Sequence, residues 1–331
     1  MKKITLTFDM GDSHIKIAKR EKGKIVVHSA QVPENLIKEG LIQVPHMVSD
    51  FLKDLRAQYK LPATECGIVV PDELVVCRNL TLPAMTVDQL KVNLPFEFTD
   101  YISDEPQKYV YDYALKEMIY DEDGNPKEMN LTGAVMSKES VDTYVRIFKN
   151  AGFNLKVLIP QEIAMTNVMR DAVEKGRIEA DKEYCIVNLG HRTTQVFIFK
   201  GDMLVVLRNI HLGSGSIDKV ISEHESVDEF VARTYKNKNF NNVLDQEYVH
   251  EQYVRIAVEI MKVINFYRFN NRNSELEDMY FIGGGSNLKG FCETIAEINE
   301  LNHKSTMDIL PPEVEDKIDL SGLCAIGVML Q

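Results

Sequence analysis

Long apolar runs are missing from this chain: stretches such as Cys66–Val70 and Met203–Leu207 are of strand length, far below the ~20 residues of a membrane-spanning helix. They read as buried strands. Lys2 and Lys3 are followed by no apolar segment, because Asp9 comes directly after Phe8, so no secretory leader is expected. Positive charge is also in deficit, with 38 Lys and Arg against 50 Asp and Glu and a formal net charge of -12. That balance lacks the footprint of a phosphate-backbone binder, which excludes nucleic acid as a partner and leaves Lys2-Lys3 as solvated surface. The five cysteines, Cys66, Cys77, Cys185, Cys292 and Cys324, form no Cys-x-x-Cys pair, and four lie in or beside apolar stretches. They read as reduced core thiols. The eight histidines show no zinc spacing.

What is present is a near-repetition. Phe8-Asp9-Met10-Gly11-Asp12-Ser13-His14-Ile15-Lys16-Ile17-Ala18 leads into a Lys22-Gly23 turn and Lys24-Ile25-Val26-Val27. Val187-Asn188-Leu189-Gly190-His191-Arg192-Thr193-Thr194-Gln195-Val196-Phe197 leads into Lys200-Gly201 and Met203-Leu204-Val205-Val206. Both read as strand, glycine loop, strand, turn, strand. A short oxygen-bearing side chain, Asp9 or Asn188, stands two residues before a glycine whose missing Cβ lets backbone amides approach an anion. Two such hairpins facing each other would grip the phosphates of one nucleotide. A third element, Met279-Tyr280-Phe281-Ile282 entering Gly283-Gly284-Gly285-Ser286, is an apolar strand running into a triple glycine and a helix from about Asn287 to Ile298. Three glycines in a row sacrifice about 1 kcal/mol each relative to Ala, so an ordinary turn would not use them.

At 331 residues the chain exceeds one typical core, and two lobes are expected. Val48, Phe51, Leu52 and Leu55 recur at helical spacing between Val44 and Tyr59. From Val75 the pattern becomes a small αβ unit: strand 75–82, helix 86–98, strand 108–119, a polar turn at 121–126, strand 129–136, helix 138–150 and strand 155–159. The longest helical stripe runs from Val243 to Phe269, with Glu259 and Lys262 neighbours on another face.

In this order, the two hairpins, the Gly283–Gly285 loop and the closing Leu320–Val328 helix resemble the first and second phosphate loops, adenosine loop and final helix of the actin and heat-shock-chaperone ATPases. The intervening segments Glu34–Ile42, Val69-Val70-Pro71, Arg78–Met85 and Val141–Phe153 are similar to the type IV pilus assembly protein PilM family. The resemblance implies an α/β actin-like fold, each lobe built on a ribonuclease-H-like sheet. It also implies boundaries: a first-lobe core at 1–74, an inserted αβ subdomain of the FtsA and PilM type at 75–158, and a connecting helix region at 159–183. A second lobe follows at 184–317, with its helical part at 214–274 and adenosine loop at 282–287, and then a closing helix at 318–331.

The resemblance further implies ATP and Mg²⁺ as cofactors. Asp9 would stand near magnesium through water, since Mg²⁺ keeps most of its hydration. Gly11, Asp12, Ser13 and His14, then Gly190, His191, Arg192, Thr193 and Thr194, would face the phosphates, with Lys16 aimed at the β or γ group. Gly283, Gly284, Gly285 and Ser286 would face the adenosine, and Glu259 and Lys262 the ribose and base; Val263 stands where chaperones carry a stacking Arg. Asn188 replaces the usual Asp, keeping the size but removing charge and basicity, and Gln161 is the candidate water-orienting residue. A nucleotide binder with slow or absent hydrolysis is therefore expected.

The implied function is a cytoplasmic scaffold of the pilus assembly platform, gripping the cytoplasmic N-terminal tail of a PilN-type inner-membrane protein and working beside the assembly ATPases without inserting in the membrane. The alternatives are an FtsA-like division or cytoskeletal actin, and a small-molecule kinase or chaperone-type ATPase. The first would carry a C-terminal amphipathic membrane helix, whereas this chain reaches Gln331 directly after its closing helix. The second is disfavoured by Asn188 and by the lack of a substrate-domain insertion.

Overall fold

Alternating apolar residues at the N-terminus become a three-stranded meander in the computed structural model, which describes residues 4–33, 35–315 and 318–331. Glu34, Lys2 and Lys3 lie outside the described residues. The chain divides into two units, Met1–Lys19 with His28–Ala164 and Gln331, and Arg20–Val27 with Met165–Leu330.

The first unit holds β1 (Leu6–Met10), β2 (His14–Glu21), β3 (Lys24–Gln31, whose first half falls in the second unit), the small hairpin β4 (Ile37–Lys38) and β5 (Leu41–Ile42), α1 (Pro45–Gln58) and β6 (Glu65–Val70). β7 (Val75–Pro83), α2 (Val87–Asn93), β8 (Tyr109–Tyr120), β9 (Pro126–Ser137), α3 (Lys138–Asn150), β10 (Asn154–Pro160) and the start of α4 (Gln161–Glu174) follow. The main sheet has the order β10-β6-β1-β2-β3, with β1 antiparallel to β2 and parallel to β6. Phe8 ties sheet to helix by meeting Phe148 of α3 and Phe153 edge-on, at 5.1 and 5.2 Å between ring centres. Val48, Leu52 and Leu55 of α1 close the same core.

Within the 75–158 segment, β7-β9-β8 form a separate three-stranded sheet over its own core of Leu80, Leu90, Leu94, Phe98 and Leu131, whereas α3 and β10 join the main core and sheet of the first unit. The insert's first helix is shorter than the pattern predicts. Thr86 and Gln89 form a reciprocal cap, but α2 stops at Asn93 and the chain continues as a 3₁₀ helix over Leu94–Tyr101. Pro95 has no N–H to donate, and its ring crowds the carbonyl four residues back.

The second unit contains β11 (Glu183–Leu189), β12 (Thr194–Lys200), β13 (Met203–Ile210), α5 (Gly215–Glu225), α6 (Glu229–Lys238), α7 (Glu247–Asn270), β14 (Asp278–Ile282), α8 (Lys289–Ile298), β15 (Asn302–His303) and α9 (Leu323–Met329). Its sheet, β13-β12-β11-β14-β15, repeats the first: an antiparallel meander followed by parallel strands. α7 begins at Glu247 rather than Val243, because Asn241 and Asn242 adopt left-handed backbone inside a 3₁₀ turn over Phe240–Asp245. Its stripe of Val249, Tyr253, Ile256, Ala257, Ile260, Ile264 and Tyr267 is buried in the sheet's core. Among the described residues, no helix is long and apolar enough to cross a membrane.

Candidate functional site

The glycine loops of each unit are set by strand register. In the first unit Asp9 lies directly across from Lys16 on β2, and the Lys16 ammonium is 3.6 Å from the Asp9 carboxylate. Gly11 donates its amide to the His14 carbonyl at 3.1 Å. A Cβ on Gly11 would stand 3.1 Å from the Lys16 ammonium, so the lysine folds over the loop instead of extending into solvent. The Ser13 carbonyl accepts from Val32 N–H at 2.9 Å, and the Ser13 hydroxyl meets His14 Nδ1 at 3.0 Å. Asp12 turns its carboxylate to the Gly40 N–H at 2.7 Å.

In the second unit the same register places Asn188 across from Gln195. The Asn188 amide donates to Gln195 Oε1 at 2.9 Å. An ammonium–carboxylate pair in one hairpin thus corresponds to an amide–amide pair in the other. Gln195 was not among the residues singled out from the sequence, although it sits at the repeat position of Lys16 and that alignment could have found it.

The three consecutive glycines have different tasks. Gly283 has φ +84°, and a Cβ there would overlap Asn188 Oδ1 and stand 2.7 Å from the Leu189 carbonyl. A Cβ on Gly285 would come to 2.7 Å from Leu189 Cβ. Both glycines therefore let the β14 loop close on the end of β11. Gly284 differs: a Cβ there meets nothing within 4 Å. Ser286 donates its hydroxyl to the Gly283 carbonyl at 2.7 Å.

The 190–194 loop is tied down from below. Gly190 N–H donates to Thr193 O at 3.0 Å, Ser214 N–H to Gly190 O at 2.9 Å and Gly215 N–H to His191 O at 2.7 Å, while Thr194 Oγ1 donates to Leu212 O at 2.8 Å. The His191 ring reaches Asp218 Oδ2 at 3.6 Å and Arg233 at 3.1 Å. Asp218 is buried and also takes Lys236 at 2.6 Å and Arg233 at 3.3 Å. Burial pushes the Lys236 ammonium pKa down, and Asp218 opposes that shift. One local signal could have pointed to this cluster: the Gly213-Ser214-Gly215 passage from β13 into α5.

Breaking a buried ion pair by removing one partner leaves the other charge stranded, at about 3–5 kcal/mol. Asp218→Asn is therefore expected to destabilise the chain on that scale in denaturant unfolding. A loss under about 1 kcal/mol, the worth of an exposed pair, would contradict the anchoring role.

Glu259 and Lys262 are neighbours on α7, ion-paired to each other at 2.6 Å. Arg192 and Thr193 lie half-buried in their loop. Gln161 is the first residue of α4, and the next one, Glu162, has its carboxyl pKa raised: burial, joined by the Asp72 charge, pushes it up against the opposing pull of the Lys116 ammonium and the Cys77 thiol. Among the described residues, no cluster of three or more His, Cys, Asp or Glu has a metal-holding arrangement. Asp9, a lone carboxylate, suits only a cation that keeps most of its water.

A search of curated proteins returns no match. By structure, the chain is similar to a PilM-PilN type IV pilus biogenesis complex (TM-score 0.81, 19% identity, covering 98% of this chain and 97% of that one). It is also similar to the ethanolamine utilization protein EutJ of Carboxydothermus hydrogenoformans (0.59, 14%, 98% and 89%) and to MreB5 of Spiroplasma citri bound to ADP (0.50, 11%, 99% and 95%). The fold is thus the mixed α/β fold of the actin-like ATPases, as the sequence resemblance implies. The family model for type IV pilus assembly protein PilM matches residues 7–312, and the chain belongs to that family.

Proposed function

We propose that this protein, whose family places it in type IV pilus assembly, is an ATP-binding scaffold that holds the cytoplasmic N-terminal tail of a PilN-type protein at the inner face of the membrane. The observation carrying the nucleotide reading is the repeated hairpin, with Asp9 opposite Lys16 in one unit and Asn188 opposite Gln195 in the other. MreB5, a neighbour in fold, was solved with ADP. The first unit offers the Lys16 ammonium and the amides of Asp12, Ser13 and His14 to phosphate, with Gly11 keeping the turn tight and Asp9 facing hydrated Mg²⁺. The second offers the backbone of Gly190 to Thr194 with the Arg192 guanidinium to phosphate, and the Gly283 to Ser286 loop with Glu259 and Lys262 to adenosine.

Phosphoryl transfer depends on positioning and charge stabilisation. With an amide at Asn188 the site forgoes one carboxylate, and losing a single stabilising group is worth about 3 kcal/mol at a transition state. ATP then acts as a conformational ligand, with Gln161 left to orient water for a slow reaction. The tail reading rests on the PilM-PilN complex among the structural neighbours and on two segments of the first unit. β4–β5 packs its Gly40 tip against Pro71 and Glu73, immediately before β7. β7 is an edge strand of the insert's sheet, and an extended segment can add to such an edge through main-chain hydrogen bonds. Other components of the platform, the assembly ATPases included, would join through these same partners.

The experiment is capture from solubilised inner membrane with the immobilised protein, using ATP–Mg²⁺, a non-hydrolysable analogue or no nucleotide. A PilN-type protein is expected in the retained fraction, equally with ATP and with the analogue because turnover is not required. Retention of soluble metabolic enzymes alone would overturn the reading.

A further inference from the structure

The first phosphate loop is wired to the β4–β5 hairpin by one side chain. Asp12 Oδ1 accepts the Gly40 N–H at 2.7 Å across 28 residues of sequence. The hairpin needs that support. Among the described residues, β4 and β5 pair only with each other, Ile37 with Ile42 and Lys38 with Leu41. The two residues between them, Glu39 and Gly40, have φ of 55° and 73°, the two-residue turn with both centres left-handed. Glu39 is a poor residue for that conformation, and such backbone persists only where its surroundings over-determine it. Three features supply this: Leu36 and Ile37 are in the core, Gln43 N–H donates to Leu36 O at 2.9 Å, and Asp12 holds the tip. On its other side the tip is closed by Glu73 and Pro71, since a Cβ on Gly40 would overlap the Glu73 carboxylate and lie 3.3 Å from Pro71 Cβ. Leu74, next along the chain, packs on the first unit's core, and Val75 opens β7.

An acidic residue in a phosphate loop is electrostatically out of place unless its charge is turned away. A bound phosphate repels the Asp12 carboxylate if it points inward and so favours the outward rotamer that meets Gly40. We propose that Asp12 is a positioning residue: phosphate in the first loop drives its carboxylate onto the Gly40 amide, locking the β4–β5 tip against Pro71–Glu73 and thereby setting the start of β7. This rests on the nucleotide reading above and adds the route by which occupancy is communicated to the insert. The coupling is positive and reciprocal, so whatever orders the hairpin also favours nucleotide.

The test is amide hydrogen exchange at residues 36–43, read in parallel with melting temperature, on the full chain with and without a non-hydrolysable ATP analogue and Mg²⁺. The analogue is expected to raise the melting temperature and to slow exchange at Gly40 by about fivefold or more, the lower end of usual coupling factors. Asp12→Ala should erase the slowing at Gly40. Asp12→Asn, which retains an oxygen acceptor but not the charge, should restore hairpin protection without most of its dependence on the analogue. If the analogue raises the melting temperature yet leaves Gly40 exchange unchanged, or slows it equally in Asp12→Ala, the coupling is refuted while nucleotide binding stands. If the analogue changes neither quantity, the nucleotide reading falls and the coupling with it.

Discussion

Gly284→Val is expected to abolish the rise in melting temperature that ATP and Mg²⁺ give the native chain, while leaving the ligand-free melting temperature nearly unchanged. At a ligand concentration 100-fold above Kd, a site bound only in the folded state contributes about 2.7 kcal/mol, so the native shift is large enough to be lost visibly. The position separates ligand approach from folding in a way its neighbours do not. Gly283 has a positive φ and abuts Asn188, and Gly285 abuts Leu189, so a side chain at either would strain the fold whether or not anything binds. A Cβ at Gly284 meets no protein atom within 4 Å, and its backbone is outside the left-handed region. A Cβ there enters open space, which on the nucleotide reading is where the adenosine would lie. An undiminished ATP shift in Gly284→Val would remove the adenosine assignment from this loop.

Period-two alternation is a local property, and for that reason both hairpins and the order of their glycine loops were legible in the chain: Phe8, Ile15 and Ile17 alternate with the polar positions that carry Asp9 and Lys16. Lys16 itself required the structure to distinguish an ammonium folded over Gly11 from an ordinary exposed strand lysine. What escaped sequence reading depends on separation. Asp218, Arg233 and Lys236 look like solvated helix charges taken singly, yet α5 and α6 bring them together with the His191 ring, and Lys236 is buried. Asp12 reads as a loop residue for phosphate because nothing in the sequence marks Gly40 as its partner. Glu259 and Lys262 were legible as helix neighbours, and they do meet, each satisfying the other. The shortened α2 illustrates a local rule outweighed in reading by a longer pattern: the apolar spacing runs on to Phe98, but Pro95 decides where the α-helix stops.

The other large effect concerns the partner. A tail that is disordered when free must be ordered on binding, so its affinity should be modest for the area it covers and sensitive to anything that preshapes its groove. On the proposed reading, the shaping elements in the first unit would be the Ile37–Ile42 hairpin and the Arg78 end of β7, where the Arg78 guanidinium lies 4.3 Å from the Tyr101 ring centre and donates to the Glu97 carbonyl. These contacts fix the insert's edge before any partner arrives. If nucleotide adjusts the hairpin as proposed, tail and nucleotide are linked ligands whose mutual effect must be the same factor in both directions.

Isothermal calorimetry of the full chain with a synthetic cytoplasmic tail of the PilN-type protein, in the presence and absence of a non-hydrolysable ATP analogue and Mg²⁺, tests this most directly. Saturable tail binding is expected, strengthened by the analogue about fivefold or more, with the tail strengthening analogue binding by that same factor. Absence of tail binding in both states would contradict the scaffold, and identical tail affinities in the two states would contradict its control by nucleotide.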